Sequence, residues 1–88
     1  MFQADVYVTF KRGVLDPQGE VVRASLVALG FGGVGGVRVG KFMQVDLEAP
    51  SEDEACAQVD EMCRRLLANT VIEDYRFEVR PAPGGGGR

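Results

Sequence analysis

The chain has 88 residues and a net charge of −3, with an isoelectric point of about 4.8. A chain of this length forms one domain that buries a modest share of its surface, and association is a common source of further stability. The acidic balance argues against a nucleic-acid partner, which needs a basic face to neutralise phosphates. The chain has no histidine, so a self-sufficient hydrolase or metalloenzyme is not expected.

The sequence carries no sign of a membrane segment or of secretion. Its apolar runs are far shorter than the roughly 18 residues of a membrane span. The N-terminal residues 1–5 have neither the basic nor the apolar region of a signal peptide. With only two cysteines, we expect a cytoplasmic protein in a reducing setting, without a membrane partner.

The first half of the chain predicts a strand followed by a helix. Apolar and polar residues alternate over 4–10, which is the period of a strand. A helix is predicted over 17–29, because the Asp16 carboxylate can accept hydrogen bonds from the first turn. Pro17 suits the first helical position, where its missing N–H costs nothing. The apolar residues that predict the buried face of this helix are Val22, Leu26 and Leu29.

The connection between this strand and helix, residues 11–20, is the most distinctive run in the sequence. It contains two cations, Lys11 and Arg12, and two glycines that permit a tight turn or close backbone approach. Two interpretations stay open: a simple strand-to-helix turn, or a recognition loop that uses the charges.

The second half predicts two strands over 37–39 and 42–48, joined by a hairpin at Gly40-Lys41. A capping box at Ser51 predicts a second helix that continues to about Ala68. A last strand follows and ends at Arg80. The predicted buried face of the second helix comprises Ala55, Cys56, Val59, Met62, Cys63, Leu66 and Leu67.

The order strand, helix, strand, strand, helix, strand predicts an α+β, ferredoxin-like fold. Two helices would cover one face of a four-stranded antiparallel sheet. The opposite face would be a dimerisation or docking surface. We expect it to carry Tyr7, Thr9, Arg38, Phe42, Gln44 and Arg76. Residues 1–80 form the predicted domain, and the Pro/Gly-rich tail 81–88 is expected to be disordered.

Three motifs that resemble known sites lack the context those sites need. The glycine pattern over 30–35 lies after a helix and before a strand, the reverse of a dinucleotide site. The run from Gly35 to Lys41 resembles a phosphate loop, but Phe42 stands where Ser or Thr would hold Mg²⁺. Cys56 and Cys63 lie seven residues apart on one helix, which suits core packing better than a disulfide or zinc site.

The segment 69–75 has an open interpretation. It joins two aliphatic residues to a tyrosine flanked by acids, which suits an interaction surface. It could equally close the end of the core. Glu73 and Asp74 are adjacent carboxylates, but neighbours on a strand point to opposite faces and would not share a proton.

Four blocks in order give the chain a family resemblance that spans about 6–79. The blocks are Lys11-x-Gly13-Val14-Leu15-Asp16-Pro17-Gln18-Gly19, Leu29-Gly30-Phe31, Val37-Arg38-x-Gly40-Lys41 and Leu67-Ala68-Asn69-x-Val71-Ile72-Glu73-Asp74-Tyr75. With them the chain resembles the small PurS-type subunit of phosphoribosylformylglycinamidine synthase, although Thr70 stands where that family usually has proline.

The resemblance implies a subunit of an enzyme of purine biosynthesis that amidates formylglycinamide ribonucleotide with glutamine and ATP. A large synthetase subunit uses the ATP and Mg²⁺, and a glutaminase subunit releases ammonia. The small subunit has no catalytic residue, cofactor or metal, forms homodimers or higher oligomers, and joins its two partners for ammonia transfer. The candidate interface residues are Lys11, Asp16, Gln18, Arg38, Lys41, Asn69, Glu73, Asp74 and Tyr75; some of them could only brace the fold.

Two other function classes stay open. Small α/β domains also sense ligands at dimer interfaces, and glycine-rich turns would serve that role. An RNA-binding domain of this fold would need exposed aromatics on a basic sheet, which Tyr7 and Phe42 match poorly.

Overall fold

A computed structural model describes residues 1–82 as an α+β fold built on one antiparallel sheet. Its strands are β1 (Phe2–Phe10), β2 (Lys41–Leu47) and β3 (Glu73–Pro81). Its helices are α1 (Pro17–Ala28) and α2 (Glu52–Met62), and a π-helical turn over Cys63–Leu67 continues α2. The strand order is β2-β1-β3, so β1 is central.

The core lies between the central strand and α2. Val6 is opposite Met43 of β2 and Phe77 of β3, and this register places its side chain on the face that α2 covers. Alternate residues of β1 are buried there against small and branched side chains of the helix, as the strand period requires. The fully formed core comprises Ala4, Val6, Val8, Leu47, Ala55, Val59, Cys63 and Ala68.

The predicted strand at 37–39 is wrong, and the described residues form three strands rather than four. The N–H of Val39 donates to the Asp16 carboxylate, and the Arg38 guanidinium donates to the carbonyl of Phe10. These bonds tie the segment to the start of α1 instead of to a strand partner. Lys41 therefore begins β2 instead of forming a hairpin turn, and a four-stranded ferredoxin-like sheet is not found.

Helix α1 does not cover the sheet as predicted. Only Gly19 is buried in it, while Val21, Val22 and Leu29 are exposed by 65%, 40% and 74%. The first turn is held against residues 37–39, beyond the end of the sheet, and this anchoring keeps the later turns off the core. Of the predicted apolar face of α1, Val22 and Leu29 are therefore exposed, whereas Leu26 is half buried.

Leu66 is 82% exposed, although the helical period placed it in the core. The N–H of Ala68 donates to the carbonyl of Cys63, five residues earlier, at 3.0 Å. This wider π turn shifts the side chains that follow around the helix axis. As a result Ala68 is buried and Leu66 faces solvent.

At the C-terminal end, Pro81 belongs to β3 and not to the predicted tail. The rest of that predicted disorder, from Pro83 onward, lies outside the described residues. None of the helices within residues 1–82 has both the length and the apolar character needed to cross a membrane.

Candidate functional site

The candidate interface residues are brought together at one end of the sheet, which we call the loop end. There β1 finishes and β2 and β3 begin, so the connections 10–18, 38–41 and 69–75 meet. The sequence separation of these segments is large, and the antiparallel register alone makes them neighbours. All nine predicted residues lie in them; whether they contact another subunit stays a prediction.

Two ion pairs join the strands at the loop end. The backbone N–H of Lys11 donates to the carbonyl of Ile72 at 2.9 Å, and its ammonium lies 3.6 Å from the Asp74 carboxylate. The ammonium of Lys41 lies 3.8 Å from the carboxylate of Glu73. The Lys11–Asp74 pair is exposed and long and contributes little to stability, so its charges are available to a partner at low cost. In the second pair the Lys41 side chain is exposed, whereas that of Glu73 is only 13% exposed.

Asn69 organises the turn that leads into β3. Its side-chain oxygen accepts from the N–H of Val71 at 3.1 Å, and its carbonyl accepts from Ile72 and Glu73. The Glu73 carboxylate in turn accepts the Asn69 N–H at 2.7 Å. This closed set of bonds leaves Val71 80% exposed at the tip of the turn. Asn69 and Glu73 therefore shape the surface as well as belonging to it.

Asp16 acts as a brace between α1 and the segment before β2. One carboxylate oxygen accepts the N–H of Gly19 and the other accepts the N–H of Val39, both at 2.9 Å. These two bonds, that of Val39 foremost, hold the pKa of Asp16 below its usual value. With both oxygens engaged, Asp16 is less able to contact a partner than the sequence suggests.

Tyr75 is also a brace. Its hydroxyl donates to the Asp60 carboxylate of α2 at 2.6 Å, and the Arg64 guanidinium donates to the other oxygen at 2.8 Å. The hydrogen bond with Asp60 raises the pKa of Tyr75 and lowers that of Asp60. Tyr75 therefore ties β3 to α2 and is half buried.

The face of the sheet opposite α2 carries the predicted residues Tyr7, Thr9, Phe42, Gln44 and Arg76, but the prediction of Arg38 there is wrong, because Arg38 precedes β2 and lies outside the sheet. Tyr7 is opposite Phe42 and Arg76 in the register, with 5.1 Å between the Tyr7 and Phe42 ring centres. The Arg76 guanidinium lies 4.0 Å above the Tyr7 ring. Asp5 on this face is buried and binds Arg80 at 2.6 Å, a pairing that only the strand register reveals.

The chemistry available to residues 1–82 is limited. No group of three acidic or cysteine side chains among them is placed to hold a metal ion. Cys63 is buried in the core, and this burial raises the pKa of its thiol, which disfavours the reactive thiolate. The loop end offers charged and apolar groups for contact.

Comparison with known proteins agrees with this description. A family model described as PurS, phosphoribosylformylglycinamidine (FGAM) synthase, matches residues 3–81. The PurS subunit of phosphoribosylformylglycinamidine synthase from Synechocystis is 48% identical over 83 residues, which cover 94% of this chain and 83% of that protein.

Solved structures match as well. The chain superposes on Bacillus subtilis PurS with a TM-score of 0.81 and 47% identity, covering 92% of this chain and all of that one. A structure of PurLQS from Thermotoga maritima gives a TM-score of 0.81 at 29% identity, covering 90% and 96%. The family indicated by the four sequence blocks is thus confirmed, and the chain belongs to the PurS family of phosphoribosylformylglycinamidine synthase subunits.

Proposed function

We propose that this chain joins the glutaminase and the ATP-dependent synthetase subunits of phosphoribosylformylglycinamidine synthase in purine biosynthesis. Held together, the two active sites would pass ammonia from one to the other with little loss to water. The family match over 3–81 and the likeness to the PurLQS structure support a role within a multi-subunit enzyme. In this proposal ATP and Mg²⁺ belong to the large partner, and the small subunit needs no cofactor.

The observation that carries the proposal is the convergence of the candidate residues on the loop end. The charged side chains of Lys11, Lys41 and Asp74 are exposed there, and Val71 projects beside them. An apolar group within a polar rim is the usual composition of a protein interface.

We also propose that two copies associate through α1. The radius of gyration is 16.7 Å, whereas a compact chain of this length has about 12 Å. Helix α1 contributes to this extended shape, because it stands off the sheet with Val21, Val22 and the adjacent Leu29 exposed. A second copy would cover this face and give the small domain the burial that it lacks alone.

The test is reconstitution with the matching large and glutaminase subunits. Formation of formylglycinamidine ribonucleotide is followed with glutamine and, separately, with ammonium as nitrogen donor. We expect omission of the chain to abolish the glutamine-driven rate and to spare the ammonium-driven rate. If both rates collapse, the chain completes the synthetase itself; if neither changes and no complex forms, the proposal is wrong.

A matched pair of variants locates the interface. Asp74→Lys reverses a charge at the loop end, and we expect it to lower the glutamine-driven rate by about tenfold or more. Glu48→Lys makes the same reversal beyond the opposite end of the sheet, just after β2, and should leave both rates unchanged. Equal losses in the two variants would mean that net charge, and not the loop end, determines assembly.

A further inference from the structure

Two arginines stand apart from every other cation in the described chain. Residues 1–82 contain nine lysines and arginines, and seven of them have a carboxylate within 4.0 Å. The two without such a partner among residues 1–82 are Arg12 and Arg38. In a chain with a net charge of −3, acidic side chains outnumber basic ones. The absence of a carboxylate within 4.0 Å of Arg12 or Arg38 among residues 1–82 therefore needs an explanation.

Arg12 and Arg38 line the same concavity, although they lie in different connections. It measures about 410 Å³ and opens beside the end of β1. The Arg38 guanidinium is held at its edge by the carbonyl of Phe10, so its position is fixed by the backbone. Lys11 contributes a third cation to the lining, with only a distant pair to Asp74 at 3.6 Å. Three positive groups therefore converge on one small space.

The single carboxylate in the lining does not hydrogen-bond to these cations. Both oxygens of Asp16 accept backbone N–H groups, from Gly19 and from Val39. The lining therefore has a formal charge of +2, from three cations and one anion. A guanidinium offers paired N–H donors in a geometry that suits oxyanions, and here two guanidinium groups have donors to spare.

The backbone of the concavity is open to close approach. Gly13 has a φ of +85°, and a Cβ placed there would meet no atom within 4 Å. Neither the Arg12 nor the Gly13 N–H donates a hydrogen bond to any acceptor within residues 1–82. Successive free N–H groups in a turn are a common element of anion sites. They would add donors to those of the side chains.

We propose that this concavity binds the phosphate group of a small phosphorylated molecule, with Arg12 and Arg38 as the principal contacts. A phosphate monoester carries about −1.5 to −2 at neutral pH, which matches the charge of the lining, whereas a carboxylate carries only −1. The volume falls within the range of small-ligand pockets. The inference rests on the geometry of this chain and does not depend on the proposed coupling of two partner subunits.

The test is a titration of the full-length, ¹⁵N-labelled chain with inorganic phosphate and with ribose 5-phosphate, followed by amide chemical shifts. We expect saturable shifts centred on the Arg12 and Gly13 amides, and weaker binding as salt increases. Arg12→Gln should lower the affinity by about tenfold or more. This side chain makes no bond within residues 1–82, so the variant is expected to fold normally.

Arg65→Gln is the matched control, since Arg65 is equally exposed but lies 3.7 Å from a Glu61 carboxylate; it should bind as the parent does. Sodium acetate at equal ionic strength is the ligand control. Equal binding of acetate would overturn the assignment in favour of a carboxylate site. The proposal is wrong if the shifts do not saturate and spread over all exposed arginines, or if Arg12→Gln binds with unchanged affinity. Either result would indicate an adventitious ion only. The reconstitution assay with glutamine or ammonium as nitrogen donor tests the proposed coupling of the partner subunits separately.

Discussion

The carboxylate of Asp16 accepts the backbone N–H of Val39 at 2.9 Å, across 23 residues of chain. Its other oxygen caps α1 through the N–H of Gly19. The Asp16 side chain thus marks the end of the connection between β1 and α1, and it also fixes the position of the segment before β2. These two hydrogen bonds keep residues 37–39 beside the start of α1, so β2 begins only at Lys41.

Asp16→Asn and Asp16→Ala should separate these two roles. Asparagine is as good an N-cap as aspartate but has one acceptor oxygen, so it can retain Gly19 or Val39 and not both. Asp16→Ala loses both bonds, and we expect its melting midpoint to fall by roughly 4–8 °C, with Asp16→Asn in between. Thermal melts at one fixed protein concentration measure this, since association would otherwise shift the midpoint.

Asp53→Asn is the control for the loss of an acid near a helix start, because Asp53 lies in the first turn of α2 and makes no ion pair within residues 1–82. It should change the midpoint by no more than a degree or two, within the range of ordinary surface changes. Identical melts for Asp16→Asn and the parent chain would show that the Val39 bond contributes nothing.

Gly19→Ala should destabilise the chain although alanine is the better helix former. A Cβ at Gly19 would come within 3.0 Å of the carbonyl of Val37 and of the Asp16 carboxylate. Backbone has to move to relieve this, and we expect a cost of about 2 kcal/mol in the free energy of unfolding. Gly33→Ala is the control, because a Cβ there meets nothing within 4 Å; urea titrations of both variants give the comparison. Equal stabilities would show that α1 does not pack against Val37.

Acid should weaken the fold through carboxylates that are bonded in the native state. The hydrogen bond from the Tyr75 hydroxyl, followed by that from Arg64, holds the pKa of the Asp60 carboxyl below its ordinary value. A depressed native pKa gives stability that is present above the unfolded pKa and is lost as the pH falls through the native one. Tyr75→Phe removes the main donor, so we expect its free energy of unfolding to fall at pH 6 and to approach that of the parent near about pH 2.

Unfolding in urea across this pH range measures the effect. Phe77 is unsuitable as a control site, because its ring stacks on that of Tyr75. Val79→Ala, which shortens another apolar side chain of β3 packed against the core, is the control. It should lower stability by a similar amount at every pH. A Tyr75→Phe curve that runs parallel to the parent would remove Asp60 from the acid response.

Sequence patterns predicted those elements whose causes are local. The caps at Asp16 and Ser51 start α1 and α2 where expected, and their side chains bond the N–H groups three residues on. Strand alternation likewise placed β1 and β3, because each presents one face to α2. The gathering of the candidate residues at the loop end followed from antiparallel pairing once those strands were known.

What could not be predicted depends on contacts between distant residues. The alternation of Val37 and Val39 is a strand pattern, but the Asp16 bond takes the N–H that a strand partner would use. The helical period is continuous through Leu66, but one bond from Ala68 to Cys63 widens the turn and moves Leu66 to the surface. The charge of Arg12 is evident from the sequence, but its lack of an acidic neighbour is visible only in three dimensions.

The open face of α1 gives the last prediction. Val21 and Leu29 are exposed by 65% and 74%, so in a single chain a charged residue at either position meets water and should fold unchanged. In a dimer built on α1, the same charge would be buried without a partner, which costs several kcal/mol. We therefore expect Val21→Asp and Leu29→Asp to dissociate the proposed dimer into monomers, as measured by light scattering after gel filtration.

Val27→Asp adds the same charge on the opposite side of α1, about 160° around the helix from Leu29, and should remain dimeric. Circular dichroism of each variant separates dissociation from unfolding, since a monomer that keeps its helix signal shows that only the interface was lost. A melting midpoint that rises with protein concentration in the parent and not in the variants would give the same answer by mass action. Parent chains that are monomeric at every concentration, or Asp variants that stay dimeric, would assign the apolar face of α1 to another partner.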